Sequence, residues 1–365
     1  MTQLDKFFKQ FTNNLVYIDI KKESEIEALK GLTVPIYTKD LTEQIISGDA
    51  ANSIKIDLIF EGMLVNIALD WEFPYTKEYL NVLNNSLKDP TKFATTQALK
   101  IYKKDFDKAL FLFRAGNIIN PFDNYTAYCY AKFLWNRSVN EKEYQKEMLK
   151  ESIRILQEIL SRDENFSSAY FELGNIYKNM GQFVKARNYF NTALHKENNE
   201  LYKQEIRENL EYIEDDAEIE ESKELIEKSN NEKAIKKLSS VISKSKRHDA
   251  YYLLAVAYQN VENYKKASEN FKNSLDSGGE SKELYNDYAI SEYMLKNTDN
   301  AIKLLELGLN KYEDDPRMLY NKIQLLVMTG NLKEAKDDIN RLLSYDDISD
   351  ELFNNLMIIK ETYNL

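Results

Sequence analysis

Two histidines, one cysteine and a run of carboxylates are the residues whose types could do chemistry in this 365-residue chain. His195 and His248 have no Cys, Asp or Glu partner at the H-x3-H or C-x2-C spacing that holds zinc, so they read as surface or helix-end residues. Cys129 has no histidine partner pattern and reads as a small buried apolar side chain. No G-x-G-x-x-G, phosphate loop or G-x-S-x-G occurs, and Gly278-Gly279 reads as a turn. Without a convergent acid–base set there is no basis for catalysis, so no enzyme activity, cofactor or metal site is expected. The run "EYIEDDAEIEESKE" (Glu211 to Glu224) holds eight acidic residues and one lysine. It reads as a solvated helix face, with Asp215 and Asp216 at a helix N-terminus where the dipole favours carboxylates. A docking strip for a basic partner is the sharper alternative, and calcium is disfavoured because the D-x-D-x-D-G loop is absent. "KSKRH" (Lys244 to His248) reads as a helix C-terminus with favourable charge.

The elements that must position such residues are helices. Only 10 Gly and 5 Pro occur, while 43% of residues are hydrophobic and 30% charged, which suits well-packed helices with short connections and argues against disorder. The net charge of −11 disfavours a broad nucleic-acid or anionic-membrane surface. The single cysteine allows no intrachain disulfide and fits a reducing compartment. "MTQLDKFFKQF" shows no apolar stretch behind a basic start, so no signal peptide is expected. The most apolar stretch, Ile56 to Trp71, contains Asp57, Glu61 and Asp70 and is too short and too charged to span a bilayer. A cytoplasmic protein is expected, and abundant Lys, Asn, Ile and Tyr hint at an AT-rich bacterial genome.

One stretch sets the pattern. From Ser167, taken as position 1, Leu173 and Gly174 fall at positions 7 and 8, Tyr177 at 11, Gly181 at 15, Ala186 at 20, Phe190 at 24 and Ala193 at 27. Small residues at 8 and 20 let two helices approach; large ones at 7, 11 and 24 fill the space beside them. Starts at 248, 282 and 316 repeat it: Ala255, Ala267 and Phe271; Ala289, Ala301 and Leu305; Leu326, Ala335 and Ile339. Weaker copies start at 90, 124 and 215, so the spacings along the chain are 34, 43, 48, 33, 34 and 34. Pro90, Pro121 and Pro316 stand at unit boundaries, where a helix must stop.

These residues resemble the tetratricopeptide repeat (TPR) family, whose W-x2-L-G-x2-Y…A-x3-F…P motif is matched best from Tyr170 to Phe190. Tyr170 takes the aromatic slot and no proline stands at position 32. The resemblance covers about residues 90 to 349. It implies an all-α, right-handed superhelical α-solenoid of helix-turn-helix hairpins. The excess between 124 and 167 is placed in "NRSVNEKEYQKEM", as a longer loop or extended helices. The excess between 167 and 215 is read as an additional helix over 199–213, a joint between sub-arrays that one long helix could cross. The expected domains are 1–89, a helical N-terminal region; 90–213 and 215–349, two sub-arrays; and 350–365, a capping helix. Within 1–89, helices are expected near Asp5 to Tyr17, Thr42 to Ile46, Ser53 to Leu69 and Thr76 to Leu87, with 53–87 readable as a degenerate repeat and "GLTVPIYTKD" as a loop or short extended piece.

The resemblance also implies a concave groove lined by positions 2, 5, 9, 12 and 13 of each first helix. That assigns Phe171, Asn175, Lys178 and Asn179 in one unit, then Asp249, Tyr252, Val256, Gln259 and Asn260, then Asn286, Ile290, Tyr293 and Met294, then Arg317, Tyr320, Gln324, Val327 and Met328. The set is rich in amides and aromatics. An Asn amide both donates and accepts, so it can pair with an extended peptide backbone, and Tyr and Phe add apolar area. The same residues could instead only contact neighbouring repeats. Clamping of a C-terminal carboxylate, as some family members do, is not expected: Phe171 stands where a lysine is needed, and only Asn175 agrees. The expected function is a non-catalytic scaffold or adaptor for a protein or peptide partner, with no nucleic acid and no membrane insertion. A peptide-responsive regulatory receptor and an accessory subunit docked through residues 1–89 are the alternatives. The sequence leaves the partner and the oligomeric state open.

Overall fold

The computed structural model describes residues 2–21, 29–46, 54–313, 315–345 and 348–365. They form two compact units, one ending at Glu211 and the other starting at Tyr212.

The first unit opens with a small mixed module. Thr2 and Asp5 form a capping box that starts helix α1 (Gln3–Lys9). Strands β1 (Leu15–Asp19) and β2 (Thr33–Tyr37) pair antiparallel, with Leu15 opposite Tyr37 and Asp19 opposite Thr33. Helices α2 (Thr38–Ile46), α3 (Ile56–Leu69) and α4 (Thr76–Ser86) follow. The expected helix from Asp5 to Tyr17 is therefore corrected. It stops at Lys9, a 3₁₀ turn spans Thr12–Asn14, and "LVYID" becomes a strand because its β-branched and aromatic residues pair with "TVPIY". The second helix begins at Thr38 rather than Thr42, and Ser53 lies outside the described residues. Helix α3 is buried on nearly every side because β2 and α6 cover it. Gly62 of α3 meets the Pro35 carbonyl so closely that no Cβ would fit between them.

Helix pairs then succeed one another: α5 (Pro90–Ile101) with α6 (Phe106–Ile119), α7 (Asn124–Ser138) with α8 (Gln145–Arg162), and α9 (Ser167–Asn179) with α10 (Phe183–Lys196). Asp89, Asp105 and Asp123 each cap a helix by accepting a hydrogen bond from the backbone N–H three residues on. The extra residues between α7 and α8 enter both the loop and an 18-residue α8. Helix α11 (Glu200–Glu227) runs for 28 residues and contributes to both units.

In the second unit α12 (Asn231–Lys244), α13 (His248–Asn260) paired with α14 (Tyr264–Asp276), α15 (Lys282–Met294) with α16 (Thr298–Lys311), and α17 (Pro316–Met328) with α18 (Leu332–Leu343) continue the series. Helix α19 (Asp350–Tyr363) packs on α17 and α18.

The repeat's phase is written in the turns. Gly181, Ser229, Glu262, Lys296 and Gly330 stand at position 15 of successive units, and all five adopt positive φ, between 60° and 81°. In each, the next residue's N–H bonds back to the carbonyl of position 11, as Gln182 does to Tyr177 and Asn331 to Leu326. This six-to-one bond closes the first helix of every hairpin. Gly174 shows why position 8 is small: a Cβ there would stand 2.5 Å from the Phe190 ring of the partner helix.

The acidic run also needs correction. Asp215 and Asp216 lie inside α11, not at a helix N-terminus. Asp216 pairs with Arg247 at 2.6 Å, and Glu218 and Glu221 pair with Lys237 at 3.0 and 3.2 Å, so cations of following segments neutralise part of the strip. Cys129 is buried, and burial pushes its thiol up to about 12. Among the described residues no helix is long and apolar enough to cross a membrane.

Candidate functional site

In the second unit, the first helices α13, α15 and α17 are tied together by a line of hydrogen-bonded side chains. Tyr252 of α13 donates its hydroxyl to Asp287 of α15 at 2.9 Å. Asn286, beside Asp287, donates an amide N–H to its carboxylate at 3.4 Å and accepts from Asn321 of α17 at 2.7 Å. Gln259 adds a bond to the Asp287 backbone carbonyl at 3.2 Å. Burial holds the Asp287 carboxyl above its ordinary value, and Glu283 pushes the same way, against the hydrogen bonds from Tyr252 and Asn286. Burial and the Asp287 carboxylate in turn raise the Tyr252 phenol.

Next to this line lies a cleft of about 400 Å³ between α15, α17 and α19. Its amides are Asn286, Asn321 and Gln324. Its apolar wall is built by Ile290, Tyr293, Val327 and Met328, and by Ile359 and Tyr363 of α19. Among the described residues no charged side chain lines it. Ile290 is 38% exposed and Met328 61%, so the wall offers apolar surface that the fold itself does not cover. Chemically such a cleft can desolvate an apolar side chain and hydrogen-bond a backbone alongside it; it has no acid–base pair.

Six of the expected groove residues, Asn286, Ile290, Tyr293, Gln324, Val327 and Met328, meet in this cleft. Tyr320 stands beside it, and its hydroxyl accepts from Gln324 at 3.1 Å. Tyr252 reaches the site through Asp287, whereas Val256 is half-buried against the core of the unit. Asn260 is exposed and donates to Asn231 of α12 at 3.1 Å. Phe171, Asn175 and Asn179 belong to the first unit. Phe171 packs on Phe190 with ring centres 5.5 Å apart and lines only a slot of about 70 Å³ with Tyr128 and Lys132. Asn179 donates to the Asn175 backbone carbonyl at 2.8 Å.

The reading of positions 2, 5, 9, 12 and 13 missed Asp287 and Asn321, both at position 6. It also missed Ile359 and Tyr363, which lie beyond the repeats. Position 6 is the neighbour of position 5 and sits one helical turn before position 9, so a polar residue there was the available signal.

Comparison with known families matches the tetratricopeptide repeat over residues 167–200 and again over residues 248–277. No curated protein matches the chain. Among solved structures, MamA from Desulfovibrio magneticus RS-1 is similar at 19% identity and a TM-score of 0.33, covering 51% of this chain and 97% of its own. YrrB, described as a TPR protein with an unusual peptide-binding site, shares 17% identity at a TM-score of 0.37, covering 57% and 97%. PilW, described as a type IV pilus biogenesis factor, shares 13% identity at a TM-score of 0.42, covering 62% and 98%. Two units carry the family's own repeat, and the same hairpin and the same left-handed turn recur in step with them; the chain is a tetratricopeptide repeat protein.

Proposed function

We propose that the chain is a non-catalytic scaffold or adaptor that holds a peptide segment or helix of a partner protein in the groove formed by the first helices of its repeats. The cleft between α15, α17 and α19 carries this reading: it joins exposed apolar side chains to three uncharged amides and, among the described residues, no charge. An apolar side chain of the partner enters between Ile290 and Met328, and Asn321 and Gln324 pair with its backbone. An isolated segment binds at roughly micromolar affinity, near −8 kcal/mol. The protein works in the cytoplasm, where a partner segment reaches the groove directly. The test is a pull-down from native cytoplasm, read by mass spectrometry, with wild type beside Ile290→Asp plus Met328→Asp. A partner lost only with the variant supports the groove; a set of partners unchanged by it rejects the groove.

One observation favours a second reading, an accessory subunit held through residues 1–89. Trp71, 51% exposed, lines a separate cleft of about 430 Å³ in the first unit with Asp70, Glu72 and Ile118. A partner that survives the groove variant and is lost with Trp71→Ala selects this reading.

A further inference from the structure

Beside the cleft, next to its lining residue Asn286, stands the carboxylate of Asp287. Several buried charges have counter-ions: Lys322 lies within 3.4 Å of Glu306, Glu334 and Asp338, and Asp315 lies 3.3 Å from Lys282. Buried Glu292 has no cation among the described residues but fills its oxygens with Ser268, Asn297 and Asn300. Asp287 has neither. Among the described residues it forms no ion pair, and its side-chain partners are the neutral Tyr252 and a long bond from Asn286. Glu283, one turn earlier on α15, is exposed and also without an ion pair among the described residues, so two like charges at i and i+4 repel each other. A partly buried carboxylate with a like-charged neighbour and no counter-ion is a poor way to stabilise a helix face and a good way to attract a cation. Asn286 touches Asp287 with its amide and lines the cleft with the same side chain, so the cation and the apolar anchor must sit close together on the ligand.

Building on the groove reading above, we propose that the bound segment carries a lysine or arginine adjacent, or next but one, to its apolar anchor, the cation pairing with Asp287 while the anchor fills the cleft. The partner is then a basic-apolar protein segment. An acidic one is repelled by Asp287 and Glu283 and by the chain's net charge of −11.

The test uses the full chain and a defined peptide array. Acetylated decapeptides combine Leu, Ile, Phe or Met anchors with Lys, Arg, Gln or Glu at the neighbouring two positions, and retained peptides are titrated by fluorescence anisotropy. Wild type is expected to retain the Lys and Arg peptides and to bind them about tenfold more tightly than their Gln counterparts. Asp287→Asn keeps an acceptor for Tyr252, and is expected to bind the Lys and Gln peptides equally while still requiring the anchor. Glu283→Gln is expected to show a smaller loss of the same preference. Ile290→Asp plus Met328→Asp is expected to lose every peptide. Equal binding of Lys and Gln peptides by wild type, or a preference that survives Asp287→Asn, overturns the inference and leaves the groove standing. If no peptide binds wild type above the Ile290→Asp plus Met328→Asp control, the groove reading falls and this inference with it.

Discussion

The Tyr252 hydroxyl, on one repeat, donates a 2.9 Å hydrogen bond to the Asp287 carboxylate on the next. With the Gln259 bond to the Asp287 backbone carbonyl it joins two first helices, and it fixes a charge beside an apolar cleft. Core optimisation would not place a carboxylate there, because burial already disfavours its ionised form.

Replacing Asp287 tests that cost. Its carboxyl sits above the ordinary value of 3.8 in the folded chain, so the folded state holds the proton to higher pH than the unfolded state. Its contribution to stability is fully present below 3.8 and is lost as pH rises through the raised folded value. Asp287→Asn should therefore flatten the pH dependence of unfolding on the alkaline side of 3.8, and at pH 7 should leave stability unchanged or raised by up to about 1 kcal/mol. Urea titrations at several pH values measure this. A variant clearly less stable than wild type at pH 7 would show that the carboxylate is structural.

Gly174→Ala should destabilise the first unit. Alanine is the better helix former by about 1 kcal/mol, but its methyl would meet the Phe190 ring at 2.5 Å. Overpacking of this kind costs about 1–3 kcal/mol, so a net loss is expected. Combining Gly174→Ala with Phe190→Leu should recover part of it. Thermal melts of the single and double variants decide between the two effects.

Glu262→Gly and Lys296→Gly should each stabilise the second unit by about 0.5–1 kcal/mol, because these residues hold φ of 60° and 66° with a side chain attached. Gly330→Ala, at the equivalent turn with φ of 81°, should cost a similar amount. Opposite signs at equivalent positions, read by urea midpoints, are the signature.

Lys108→Met should weaken the N-terminal module. Lys108 is almost fully buried and bridges Asp40 of α2, at 2.5 Å, and Glu61 of α3. Removing the cation leaves two carboxylates unpaired, at a cost of about 3–5 kcal/mol. Adding Glu61→Gln should restore part of the loss. Hydrogen exchange in α2 and α3 reports it locally.

The repeats were legible because their geometry forces residue types at fixed offsets. Gly174 and Phe190 cannot both be large, and position 15 must turn left-handed. The strand "LVYID" was less legible. Its period of two is short, it follows a helical start, and its partner lies fourteen or more residues away. Asp215 and Asp216 were placed at a helix start because a new repeat was due there; the long α11 instead continues through it and takes its counter-ions from Lys237 and Arg247. At the cleft, Asn286, Ile290 and Gln324 followed from positions 5 and 9, whereas the orientation of Asp287 depends on a hydroxyl from the previous repeat. Ile359 and Tyr363 were out of reach because α19 lies outside the repeat numbering.

The most direct measurement is photo-crosslinking from one residue at a time in native cells. A photoreactive phenylalanine analogue replaces Met328 at the rim of the cleft, or Leu307, which is 54% exposed on α16 and does not line it. The groove account predicts a discrete crosslinked partner from position 328, abolished by Ile290→Asp, and none from position 307. Crosslinking from 307 with none from 328 would contradict it and move the working surface to the other face of the repeats.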